Sequence, residues 1–126
     1  AYLPFGWMGC MDGWGGPLTR DWIDRHAALQ RKILERERAF GMTPVLQGFT
    51  GHVPEALSRV RPEANYQKLP SWCGFPGTTF VDPRDPLFRE VGRRFVEEQT
   101  RLFGTDHYYA SDTFIEMSPR PIRSSV

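Results

Sequence analysis

Apolar residues recur at three- to four-residue intervals over two stretches of the chain, and short apolar runs lie before, between and after them. From Leu18 to Phe40, the positions Trp22, His26, Leu29, Ile33 and Phe40 share one face with Arg, Glu and Lys between them, which predicts an amphipathic helix. Thr19 is a suitable N-cap acceptor for it and Gly41 a suitable stop. A second long helix is predicted from Asp85-Pro86, which joins a capping carboxylate to a proline at the first helical position, as far as Gly104. Its apolar face is Leu87, Phe88, Val91, Phe95 and Leu102.

Three runs read as strands: Tyr2 to Trp7, Thr43 to Phe49 and His107 to Asp112. Pro44 stands at the beginning of the second run, where a missing N–H is tolerated. A short helix is expected over Pro54 to Val60. The stretch from Arg61 to Arg84, rich in Pro, Gly and aromatics, is expected as a long loop of the kind that usually carries function. Strands alternating with helices predict the α/β class with a parallel sheet and crossover helices. About three parallel strands cannot close on themselves, so the expected architecture is part of a (β/α)8 TIM barrel. A doubly wound sheet is the alternative, although no strand-to-helix turn carries a GxGxxG or P-loop pattern. The chain opens at Ala1 on an apolar-aromatic run and stops at Val126 after a Pro-rich segment. Residues 1–126 are therefore expected to be one piece of the barrel domain, incomplete at both ends.

Charge removes some function classes. Sixteen basic and 15 acidic residues leave a net charge of +1, without the concentrated basic excess of a nucleic-acid binder. No apolar stretch approaches the roughly 18 to 20 residues of a membrane span, and no signal-peptide pattern opens the chain. Cys10 and Cys73 are too few to define a disulfide framework.

In α/β barrels the functional groups follow the C-terminal ends of strands. The corresponding segments here are Gly9 to Gly16 with Cys10, Asp12 and Trp14, Thr50 to Pro54 with His52, and Thr113 to Pro119 with Glu116, just after Asp112. Glu116 stands among Phe114, Ile115 and Met117, and desolvation by such neighbours raises a carboxyl pKa toward that of a general acid. The competing reading is a solvent-facing or helix-capping carboxylate. Asp112 suits a supporting role. His52, His107 and Asp112 lack the spacing of a zinc motif, and Cys10 adjoins no His that would activate it as a nucleophile. Trp14 and Trp72, set among Gly and Cys, suit platforms for the apolar face of a sugar ring, or large hydrophobes that close the barrel mouth.

Several stretches taken together carry a family pattern. They are Trp7-Met8-Gly9 with Trp14-Gly15-Gly16-Pro17-Leu18, Phe40-Gly41-Met42-Thr43-Pro44-Val45-Leu46, Gly51-His52-Val53-Pro54-Glu55-Ala56, Phe103-Gly104-Thr105-Asp106-His107, and Ala110-Ser111-Asp112-Thr113-Phe114 with Glu116-Met117. In this order they resemble the alpha-N-acetylglucosaminidases of glycoside hydrolase family 89, over essentially the whole chain. The resemblance implies a (β/α)8 catalytic domain that removes terminal alpha-linked N-acetylglucosamine with retention of configuration. It implies Glu116 as the general acid/base at the end of a barrel strand, with the nucleophilic glutamate far downstream. It makes Trp14, Cys10, His52, Trp72 and Asp112 candidates for substrate binding, with no cofactor and no metal. The implied partners are a glycan with a terminal N-acetylglucosamine, heparan-sulfate-like or of host type, and the rest of the parent catalytic domain. A secreted or lysosomal-type location follows from the resemblance only. With one of two carboxylates, these residues alone are expected to be inactive. Cys10 and Ile115 stand where the family often has Asn or another polar residue. A non-catalytic carbohydrate-binding barrel derived from the same family is therefore the alternative.

Overall fold

The structure is a computed structural model that describes residues 19–71 and 77–111. The first element, α1, runs Arg20–Ala39; Thr19 sits in extended conformation before it, and its hydroxyl accepts the Trp22 N–H at 3.2 Å. Asp21 in the first turn and Arg36 and Arg38 in the last oppose the helix dipole with the favourable sign. The apolar stripe expected on this helix is hidden only in part. Leu34 is the buried residue, whereas Leu29, Ile33 and Phe40 are exposed, because a stripe is covered only where another element lies against it.

Two strands run parallel: β1, Leu46–Gln47, and β5, Tyr109–Ala110. Leu46 pairs with Tyr109 and Gln47 with Ala110, and the flanking bonds from Leu46 N to Tyr108 O and from Gly48 N to Ala110 O extend the ladder. The expected runs of Thr43 to Phe49 and His107 to Asp112 are thus strands in their middles. The expected strand over Tyr2 to Trp7 lies outside the described residues, so the described parallel sheet has two strands.

The stretch from Arg61 to Arg84 corrects the expectation of a structureless loop. It contains β3, Tyr66–Lys68, and β4, Thr79–Val81, which join β2, His52–Val53, in an antiparallel sheet of order β2-β4-β3. Between β2 and β3 lies the short helix α2, Ala56–Val60. All three residues of β4 are buried, as suits a central strand covered on both faces. Two-residue strands are too short for hydrophobic alternation to announce them, and β3 is polar over Gln67 and Lys68 because it lies at an edge.

After β4 comes α3, Pro86–Phe103, opened by Asp85, whose side chain accepts the Leu87 N–H, and closed by Gly104. Val53, Val81 and Leu87 form a buried cluster, with Phe49, Leu57, Ala64, Tyr66, Phe88 and Val91 packed against it. Phe49 also meets Phe88 and Phe95 at ring-centroid distances of 5.1 and 6.1 Å. Two glycines permit this closeness. At Gly51, with φ +94°, a Cβ would come within 2.5 Å of the Phe80 ring, and at Gly77 one would fall 1.8 Å from the Leu69 carbonyl oxygen.

Truncating Phe80, which is 1 % exposed, is expected to destabilise the protein by about 3–5 kcal/mol through loss of burial and a residual cavity. Gly51→Ala is expected to lower stability as well, since it adds both backbone strain and a clash. Urea denaturation of the two variants beside the parent measures both effects; an unchanged midpoint for Gly51→Ala would refute the packing described at this turn.

Candidate functional site

Parallel pairing brings the C-terminal ends of β1 and β5 to one edge. A Cβ on Gly48 would stand 3.2 Å from the Ala110 oxygen and 3.5 Å from the Ser111 Cβ, so the two chains leave their strands side by side. From β1 the chain continues through Phe49, buried Thr50 and Gly51 directly into the antiparallel sheet. From β5 it continues through Ser111 toward Asp112 and Glu116.

Among the sequence-derived candidates, His52 lies within the described residues. Cys10, Trp14, Trp72, Asp112 and Glu116 lie outside them. His52 was expected in a loop after a parallel strand; it instead occupies β2, one residue past the turn at Gly51. Alternation places His52 on the sheet face opposite Val53 and its apolar cluster. There its Nδ1 is joined by a 3.1 Å hydrogen bond to Oγ1 of buried Thr78, and the Phe80 ring stands edge-on at 5.4 Å. Thr78 was not a sequence candidate. A lone Thr carries no motif, and its role depends on the β2-β4 register, which pairs His52 with Phe80 and so sets Thr78 diagonally across.

The sheet is tied to α3 by Asp85. One oxygen accepts the Leu87 N–H at 2.9 Å; the other accepts the Asn65 backbone N–H at 2.8 Å and its side-chain amide at 3.0 Å. These N–H groups hold the Asp85 carboxyl below its ordinary pKa, the Asn65 backbone bond contributing most. Close by, the Arg84 side chain, then the Arg84 backbone N–H, lower the Asp82 carboxyl from 3.8 to about 2. At the opposite end of the parallel strands, Arg38 of α1 grips Asp106 with Nε and Nη2, and this guanidinium lowers the Asp106 pKa.

Comparison with known proteins gives a consistent pattern. Residues 1–125 match the family model described as the alpha-N-acetylglucosaminidase (NAGLU) TIM-barrel domain. Human alpha-N-acetylglucosaminidase is 45% identical over 123 residues, which cover 94% of this chain and 17% of that protein. A family 89 glycoside hydrolase from Clostridium perfringens, solved with PUGNAc, superimposes with a TM-score of 0.79 at 35% identity, covering 88% of this chain and 13% of the other. A form of the C. perfringens protein with two glutamates replaced by glutamine, solved with its substrate GlcNAc-alpha-1,4-galactose, matches at 34% identity and the same TM-score. The chain thus spans less than a fifth of the length of these relatives.

Asp82, Asp85 and Asp106, all with lowered pKa values, predict an acid limit to stability. Each binds its proton more weakly folded than unfolded, so its contribution is complete above the unfolded pKa of about 3.9 and is lost as pH falls through the folded value. Stability is expected to be level above about pH 5 and to fall between about pH 4 and about 2, the lower bound being that of Asp82. Arg84 is largely open to solvent, so screening weakens its pair with Asp82, and buried Asp85 should dominate. Denaturation midpoints measured against pH should show Asp85→Asn less destabilised than Asp85→Ala, because Asn retains a capping acceptor. An Asp85→Ala profile superimposable on the parent's would contradict this assignment.

Proposed function

Since the chain belongs to the alpha-N-acetylglucosaminidase (NAGLU) TIM-barrel family, we propose that it forms part of the catalytic barrel of a retaining glycosidase that releases terminal alpha-linked N-acetylglucosamine from glycans. The observation that carries this reading is the 45% identity to human alpha-N-acetylglucosaminidase across 94% of the chain. Two further points support it. The C. perfringens relative bound to GlcNAc-alpha-1,4-galactose has two glutamates neutralised, the change expected to preserve a substrate from a pair of catalytic carboxylates. In this chain, the segment that bears Asp112 and Glu116 begins directly after β5, at the C-terminal edge where α/β barrels act.

In the proposed mechanism Glu116 is the general acid/base. Its carboxyl protonates the glycosidic oxygen while a second carboxylate, contributed from outside these 126 residues, attacks the anomeric carbon. Glu116, now ionised, then takes a proton from the water that hydrolyses the covalent intermediate, and configuration is retained. The two carboxyls of such an enzyme stand about 5–5.5 Å apart, so residues 1–126 alone are proposed to be inactive. Trp14 and Trp72 offer ring faces to the sugar, while Cys10, His52 and Asp112 contribute polar contacts. The natural setting, on this reading, is secreted or lysosomal-type.

Glu116→Gln in the complete parent protein is expected to lower kcat for an aryl alpha-N-acetylglucosaminide by roughly two to four orders of magnitude, with sugar binding retained. Steady-state kinetics beside a binding titration measure both. A parent that binds the sugar without cleaving it would replace the enzyme with a carbohydrate-binding barrel, the reading that Cys10 and Ile115 favour.

A further inference from the structure

Helix α1 carries two faces with apolar residues, and the fold covers one of them. Ile23, Ala27 and Gln30 are half-buried and Leu34 is buried, and together they form the face turned to the rest of the structure. The stripe read from the sequence lies about 110° away round the helix. There Leu29, Ile33 and Phe40 stand 53%, 41% and 67% exposed. Arg38, which reaches Phe103 and Asp106 beyond the end of α3, projects about 160° from the middle of that stripe, so α3 flanks α1 on one side and the stripe faces the other. The spacing of the stripe is specific. Trp22, His26, Leu29, Ile33, Arg36 and Phe40 follow one another at four, three, four, three and four residues, the alternation of a seam between two helices. Both ends of the seam are ordered: the Trp22 and His26 rings stack at 3.6 Å, with His26 Nδ1 donating to the Trp22 carbonyl at 2.8 Å, and the Arg36 guanidinium lies 4.5 Å over the Phe40 ring. Side chains already held in this way lose less freedom when a surface closes on them. Arg25, Lys32 and Arg36 run along the open flank of the seam; Asp21 offsets Arg25, and Lys32 and Arg36 leave the flank basic.

From this pattern we infer that the seam receives a helix of the parent chain from outside residues 1–126, with apolar residues at the same alternating spacing and acidic residues opposite Lys32 and Arg36. The chain covers 17% of its human relative, so a parent of that length has ample chain for such a helix. A ring of outer helices around a barrel also gives each helix a neighbour on both sides. A second copy of α1 fits less well: packed parallel, the two seams would set Arg36 against Arg36, and packed antiparallel, Lys32 beside Lys32. The inference rests on the chain being part of a longer parent and not on the reaction proposed for that parent.

The test uses the complete parent protein. A carbodiimide joins the Lys32 amine only to a carboxylate in direct contact, and mass spectrometry of the product identifies that residue. Besides Glu35, one turn on in α1, the expected partner is an Asp or Glu on a helix outside residues 1–126 of the same chain. In separate variants, Ile33→Cys is expected to react with a maleimide at least about tenfold more slowly than Ala28→Cys on the exposed face, because a packed side chain is reached only through local opening. Equal rates at the two positions, or no Lys32 cross-link beyond Glu35, would overturn the inference. A cross-link to residues 1–18 or 112–126 would overturn it too, as would one between two copies, which a mixture of isotopically labelled and unlabelled protein reveals. Should Ile33→Cys fail to fold, the cross-link in the unaltered parent and the labelling of Leu29→Cys decide in the same way.

Discussion

Two strands that run in the same direction cannot be joined by a tight turn; the chain must travel back along its own length before it can pair again. The pairing of β1 with β5 imposes this on everything between Gly48 and Tyr108. The return is made by α3, whose Gln99 side chain donates to the Gln47 carbonyl of β1 and so fastens the crossover to the sheet it spans. Once the pair forms, both strand exits lie at one edge. Gly48 and Ser111 are therefore neighbours by topology, although far apart in sequence.

Between β1 and α3 the chain inserts an antiparallel sheet, and Asp85 unites the two parts. A carboxylate can accept several hydrogen bonds, and here it caps a helix with one oxygen while holding Asn65 with the other. The Asn65 backbone N–H, and after it the Leu87 N–H at the start of α3, favour the negative charge, which is why this buried acid is tolerated and why its proton affinity is reduced. The same residue thus orients α3 and fixes the approach to β3. Packing completes the join, since Val81 of β4, Val53 of β2 and Leu87 of α3 bury one another.

The far end of the strands is built differently. Arg38, at the end of α1, spans to Asp106 in the connection between α3 and β5 with a forked ion pair and also reaches the Phe103 carbonyl. Both side chains are partly shielded, at 34% and 24% exposed, so the pair is less screened than the many i,i+4 pairs on the helix surfaces. His107 adopts φ +63° just beyond it, with its N–H bonded to the Thr105 hydroxyl, so the chain turns sharply into β5. In barrel folds this end serves stability, and the opposite end is left to function.

How much of this was legible in sequence follows from the range of the forces involved. Local signals were sufficient for α1 and α3: the caps Thr19 and Asp85, Pro86, and the glycines beyond each helix act within a turn of where they stand. Motif order was sufficient for the family, because Gly51-His52-Val53-Pro54 and Phe103-Gly104-Thr105-Asp106-His107 retain their identities whatever their contacts. Periodicity was not sufficient for β2, β3 and β4, whose two or three residues leave no pattern to count and whose existence depends on pairing across the chain. Nor did it say which part of the α1 stripe is buried, since burial belongs to the pair of surfaces and not to one helix. The sequence by itself determined where the two long helices begin and end. Only the tertiary structure decided that His52 stands on a strand against Thr78, because a hydrogen bond between residues 26 positions apart exists only once the sheet register has brought them together.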